Sequence, residues 1–183
     1  MVDHTEIMGE LIEMGINTNP VLPFTACILD PCKQILVTSC NAMHISPLYS
    51  AEGLALHMLA GNFHSDDNQH LTLITTCEPD NGSLLAIYWA SLQGIRISEI
   101  VYGATRDDIK ASWPDDPGLP FSDYLGHFPA AFRNSLKLTG PILQPECREI
   151  FQEGHDMEKQ GSYPVLSMDI DQFWMPGDWL MDD

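Results

Sequence analysis

Leu71-Thr72-Leu73-Ile74-Thr75-Thr76-Cys77-Glu78-Pro79 is the stretch on which the fold turns. It is apolar or β-branched along its length, the pattern of a strand covered on both faces. Glu78-Pro79-Asp80-Asn81-Gly82 breaks it. Ser83 to Gln93 then reads as a helix ending at Gly94, and Glu99 to Ala104 as the next strand. A strand–helix–strand run of this length implies a parallel pair with a right-handed crossover.

Working outward, Phe24 to Leu29 and Gln34 to Ser39 read as two strands joined by the turn Asp30-Pro31-Cys32-Lys33, a hairpin. Ahead of them, Ile7, Leu11, Ile12 and Met14 share one helical face, and Gly15 is expected to end that helix. Between hairpin and decisive strand, Ser46 to Ser50 enters a helix from Ala51 to Leu59 that should bury Leu54, Leu56, Met58 and Leu59 and stop at Gly61. A polar stretch from Asn62 to His70 reads as a loop. Downstream, Ala111 to Pro129 is rich in Pro, Gly and Asp and reads as loop, and Pro145 to Gln152 as one more helix. The expected fold is a three-layer α/β/α sandwich around a central mixed sheet. No internal repeat is visible.

Composition narrows the function classes. Eight Lys and Arg face 26 Asp and Glu, a formal net charge of −18. Nucleic-acid binding needs a basic surface that releases counterions from phosphates, so no nucleic-acid partner is expected. No apolar run is long enough to span a bilayer, and Met1 to Glu6 holds neither a basic residue nor an apolar core of a secretory signal. No membrane association is expected, and the expected location is the cytoplasm. The five cysteines (Cys27, Cys32, Cys40, Cys77, Cys147) lack metal spacing and read as free, mostly buried thiols.

The decisive stretch, with Ala86-Ile87-Tyr88-Trp89-Ala90 and Val101-Tyr102-Gly103-Ala104-Thr105-Arg106-Asp107-Asp108, resembles the second half of a cytidine deaminase-like core. It is closest in flavour to guanine deaminases and tRNA adenosine deaminases. Asn19 to Phe24, Asn41 and Gly140 to Leu143 with Glu146-Cys147 resemble further landmarks of that superfamily. The resemblance covers 1–155 as one deaminase-like domain and leaves 156–183 as an acidic tail holding Phe173, Trp174 and Trp179. It implies a homodimer and a small-molecule substrate. In guanine deaminases a C-terminal segment covers the pocket. These aromatics either do likewise or staple the tail to its own domain.

The superfamily's chemistry is carried by H-x-E followed by P-C-x-x-C, whose His and two Cys hold zinc. Zinc lowers the pKa of its bound water to about 7, and the Glu moves protons. Here the first motif reads Ser50-Ala51-Glu52 and the second Pro79-Asp80-Asn81-Gly82-Ser83. By resemblance Ser50, Asp80 and Ser83 stand at the ligand positions and only Glu52 is retained. Two hydroxyls and one carboxylate are poor replacements for an imidazole and two thiolates, so no metal and no cofactor is expected.

Each residue carries two readings. Ser50 and Asp80 sit where helices begin and are good N-caps, or they line a pocket. An unpaired buried Glu52 is costly and has its pKa raised, which favours a working carboxyl, and with Asp80 it forms a carboxylate dyad. Asn41 resembles a base-binding Asn, or is a turn residue. Ser83 and Phe24 complete the candidate substrate site. His44 and the remaining histidines show no metal spacing. The leading expectation is a zinc-independent enzyme performing general acid/base chemistry on a small nitrogen-containing molecule through Glu52 and Asp80. The alternatives are a non-catalytic binding or partner subunit, and an active deaminase with an unusual metal site.

Overall fold

A computed structural model describes residues 4–62 and 70–162. The chain order is α1 (His4–Thr18), β1 (Thr25–Leu29), β2 (Ile35–Cys40), α2 (Ala51–Asn62), β3 (His70–Cys77), α3 (Asn81–Leu92), β4 (Arg96–Ala104), α4 (Arg106–Ser112), α5 (Phe121–Leu125), α6 (Ala130–Ser135), β5 (Lys137–Thr139) and α7 (Gln144–Lys159). The five strands form one mixed sheet in the order β2-β1-β3-β4-β5. β1 runs antiparallel to both β2 and β3, while β3, β4 and β5 are parallel. The hairpin and the parallel crossover expected from the sequence are both present.

The pleat divides the core in two. Ala26, Ile28, Leu71, Leu73 and Ile100 pack with Ala51, Ala55, Leu84 and Ile87 of α2 and α3, and with Phe121 and Phe132. Cys27, Leu29, Ile74 and Val101 pack on the other face with α1 and α7, through Ile7, Met8, Leu11, Ile150 and Phe151. β3 is central and buried on both sides, which is why its sequence is apolar without polar alternation. The result is the three-layer α/β/α sandwich.

Several local expectations are corrected. α1 does not stop at Gly15 but runs to Thr18. A Cβ on Gly15 would lie 2.7 Å from the carbonyl oxygen of Pro23, so this glycine permits close packing rather than ending the helix. Met58 is 37% exposed, because α2 turns Leu54, Ala55 and Leu59 inward and Met58 to its flank. Within the expected loop at 111–129, Phe121–Leu125 forms the short helix α5, anchored by the fully buried Phe121. β5 went unread because its three residues are too few to carry a pattern. α7 continues through residue 155 to Lys159.

Among the described residues all five cysteines are free, with only Cys32 exposed. Burial pushes the thiols of Cys27, Cys40 and Cys147 up to about 12, so they are packing groups. No helix among the described residues is long and apolar enough to cross a membrane. The tail aromatics Phe173, Trp174 and Trp179, and 63–69 of the polar stretch, lie outside the described residues.

Candidate active site

The C-terminal edge of the parallel strands gathers polar groups from α2, β3 and α3. The chain leaves β3 through Glu78-Pro79 and makes Asp80 the N-cap of α3, with Oδ1 accepting the Ser83 backbone N–H at 2.7 Å. Ser50 does the same for α2, its Oγ accepting the Gly53 backbone N–H at 3.1 Å. Both capping readings are therefore present in the geometry. The caps also bring the first turns of α2 and α3 together.

Glu52 lies in the first turn of α2 and is 7% exposed. Its Oε1 accepts the Thr75 hydroxyl at 2.6 Å, and its Oε2 accepts the Ser83 hydroxyl at 3.0 Å. The Ser83 and Ser50 hydroxyls are 3.1 Å apart. A chain of hydroxyls thus runs from the buried carboxyl to the half-buried Ser50. Burial pushes the Glu52 carboxyl above its ordinary range. The Thr75 hydroxyl opposes this, the charge of Asp80 adds to it, and the Ser83 hydroxyl opposes it, with a net upward shift.

Asn41 and Phe24 are joined to each other: the Asn41 backbone N–H donates to the Phe24 carbonyl at 2.8 Å. Asn41 is buried, and its side-chain Oδ1 accepts the Met43 N–H at 2.8 Å, an Asx-type turn. Its own carbonyl accepts from the side chain of Asn19 at 3.2 Å. The Phe24 ring stacks on Phe151 at 4.6 Å and tilts against Trp113. Ser50, Glu52, Asp80 and Ser83 therefore form one hydrogen-bonded group, and Asn41 with Phe24 a second.

Sequence reasoning did not single out Thr75, although it shares a pleat face with Leu73, which packs under α2. It also missed a second buried cluster at the same edge. Glu78 is 8% exposed, with Oε2 accepting the Arg106 backbone N–H at 3.0 Å and Oε1 the Phe121 backbone N–H at 2.8 Å. Arg106 is 7% exposed, pairs with Asp116 through Nη2, and places Nη1 3.6 Å from the Cys77 sulfur. A separate groove of about 420 Å³ lies between α4 and α7, lined by Asp108, Ser112, Arg148 and Gln152 among others. It is open, and the Arg148 side chain of its Arg148–Asp108 pair is exposed.

No protein-family profile matches the chain, and no curated protein matches it in sequence. Solved structures do match in shape. A guanine deaminase from Nitrosomonas europaea superposes with a TM-score of 0.67 at 19% identity, over 85% of this chain and 86% of that one. The Rib2 deaminase of Aspergillus oryzae, in complex with DARIPP, gives 0.58 at 17% over 86% and 94%. A structure from work on A-to-I editing by tRNA:A34 deaminases gives 0.52 at 17% over 70% and 84%. The fold is cytidine deaminase-like.

A deaminase fold raises the question of zinc, and the donor atoms at the positions matched by resemblance bear on it. At the positions the motif assigns to ligands, Ser50 Oγ already accepts a backbone N–H, Asp80 Oδ1 accepts another, and Ser83 Oγ donates to Glu52. Zinc takes imidazole and thiolate in such sites, and two neutral hydroxyls with one capping carboxylate do not fit it. Among the described residues no group of three or more His, Cys, Asp or Glu is arranged to hold a metal elsewhere.

Proposed function

We propose that this chain is a zinc-independent enzyme on the deaminase fold, in which Glu52 transfers protons to and from a small nitrogen-containing molecule. The observation that carries the reading is the setting of Glu52: a buried carboxyl whose partners are hydroxyls. A hydroxyl donates or accepts, so the network keeps all its bonds in either protonation state of the acid. With Glu52 ionised, Ser50 donates to Ser83 and Ser83 to Oε2. With Glu52 protonated on Oε2, the donors reverse, and the half-buried Ser50 hydroxyl is left to donate outward. Asp80 caps α3, and its charge adds to burial in raising the Glu52 carboxyl above its ordinary range, the direction that suits a group exchanging protons. Neighbouring structures of this fold were captured with 8-azaguanine and 2,6-diaminopurine, which supports a nitrogen heterocycle as the ligand class. The Asn41 side-chain N–H groups would meet a ring acceptor, with the Phe24 carbonyl fixing the Asn41 backbone.

The same reading places the protein in the cytoplasm as a homodimer. It gives it no affinity for nucleic acid at a net charge of −18, despite the tRNA deaminase among its structural neighbours.

A second reading, a non-catalytic binding subunit, is favoured by one observation. The only buried side-chain nitrogen or oxygen atoms without a hydrogen-bond partner among the described residues are Arg106 Nε and His155 Nδ1, so the Glu52 network is satisfied without a ligand. The test is consumption of a panel of amino-substituted purines and pyrimidines by purified protein, with elemental analysis alongside. Glu52→Gln is expected to lower turnover by about 10²–10⁴-fold, the usual contribution of a general acid or base. Equal turnover by the two proteins, or loss of activity on mild chelation, would overturn the mechanism. Binding without turnover would establish the second reading.

A further inference from the structure

The segment between α4 and α5 crosses from one face of the sheet to the other. Ile109 and Trp113 pack in the core beneath α1 and α7, whereas Phe121 packs in the core beneath α2 and α3. The crossing passes the edge where β3 and β4 end, beside Cys77, Glu78 and Asp80. Its backbone adopts no regular structure over 114–120, and the hydrogen bonds there are short-range: Asp116 N–H to the Trp113 carbonyl, and Leu119 N–H to the Tyr124 hydroxyl.

Arg106 holds this segment to the body of the fold. Its Nη2 meets both carboxylate oxygens of Asp116. A Cβ on Gly118 would lie 2.2 Å from Nη2 and 2.5 Å from Nε, so a side chain here would displace the guanidinium from its place against the backbone. Glu78 fixes the two ends of the crossing by accepting the N–H groups of Arg106 and Phe121. Between those ends the hold rests on Arg106. That hold is imperfect, because the buried Nε has no partner among the described residues. A buried donor left unpaired disfavours the closed state. Arg106 Nη1 lies 3.6 Å from the sulfur of Cys77, three residues before Asp80 in the chain, which places the clamp beside the candidate site.

We infer that Arg106 is a positioning residue of the Glu52 site, a clamp that closes the 114–120 strap through Asp116 and so sets the access of a small ligand to the sheet edge. The inference rests on the proposed function for the identity of the site. The clamp itself can be tested without a substrate.

Cys77 supplies the reporter. It is 2% exposed, and its sulfur lies 3.6 Å from Arg106 Nη1. In a Cys32→Ser protein, which lacks the exposed thiol, alkylation by iodoacetamide is followed cysteine by cysteine with mass spectrometry. Asp116→Asn keeps the guanidinium beside the thiol and weakens only the clamp. It is expected to speed labelling of Cys77 by about tenfold or more, as for loss of a hydrogen bond to a charged group, with Cys27 and Cys147 unchanged. Arg106→Gln should do the same, although removal of the guanidinium takes away an influence that favours the thiolate. Arg106→Lys should fall between the two proteins, since an ammonium keeps the charge but not the fork. A Cys77 rate in Asp116→Asn equal to that of the parent would overturn the inference. So would a parallel rise at Cys27 and Cys147, which would make Arg106 a residue of global stability only. Labelling of Cys77 in the Asp116 and Arg106 variants needs no substrate and reads the clamp, whereas turnover by Glu52→Gln reads the proposed chemistry, so the two failures are distinguished.

Discussion

Glu52 and Glu78 are two buried glutamates at the same edge of the same sheet, 7% and 8% exposed, and their partners give them opposite capacities. Glu78 accepts two backbone N–H groups, one ahead of the strap and one after it. An amide N–H only donates, so both Glu78 oxygens are held in fixed acceptor roles. Glu78 is therefore a fastener. Glu52 accepts two hydroxyls, which reverse their roles when the proton arrives. Burial of a carboxyl is thus a weak pointer to chemistry on its own. What separates the two is whether the surrounding groups tolerate a change of protonation.

The largest effect that sharpens this comparison is on stability at Glu78. Glu78→Gln must turn an NH2 toward either Arg106 N–H or Phe121 N–H, leaving a buried donor unsatisfied at a cost on the order of 1–3 kcal/mol. Denaturant unfolding of the two proteins measures it, and an unchanged midpoint would remove the fastener role. A smaller effect is expected at Thr75. Thr75→Val keeps the volume and removes the donor to Glu52 Oε1, at a cost of roughly 1 kcal/mol. It should also raise the Glu52 pKa further, since that hydroxyl is the strongest influence holding it down. Titration of the Glu52 carboxyl by NMR checks the direction, and a fall would contradict the assigned hydrogen bond.

The legibility of the sequence differed along the same line. β3 was readable because burial on both faces leaves no polar alternation to misread, and the hairpin because Asp30-Pro31 is strong turn chemistry. Glu52, Asp80, Ser50 and Ser83 were brought together as a set by the resemblance to the deaminase motifs. Thr75 was hidden because a threonine in a strand is already explained by β-propensity. Arg106, Asp116 and Glu78 were hidden because nothing local pairs them. Asp116 is ten residues past Arg106 across an irregular segment, and Phe121 is 43 residues from Glu78. Contacts between an irregular segment and a sheet edge carry no periodicity, so only the fold reveals them.

The finest test of the comparison is the pH dependence of Glu52→Gln. The folded-state pKa of Glu52 is raised above the ordinary 4.5, chiefly by burial. A raised carboxyl binds its proton more tightly in the folded than in the unfolded chain. The stability this contributes is fully present below about 4.5 and is lost as pH rises through the folded pKa. Glutamine stands for the protonated form at every pH. Its amide accepts from Thr75 and donates to Ser83, whose hydroxyl then turns toward Ser50, so no bond of the network is lost. The mutant and parent should therefore be nearly equal in stability at acid pH, and the mutant should become the more stable as pH rises above 4.5, levelling off beyond the folded pKa. Paired urea melts across that range measure the difference. If the gap stays flat or closes as pH rises, Glu52 is held as firmly ionised as any surface carboxylate. Its distinction from Glu78, and with it the acid–base reading of the site, would then fall.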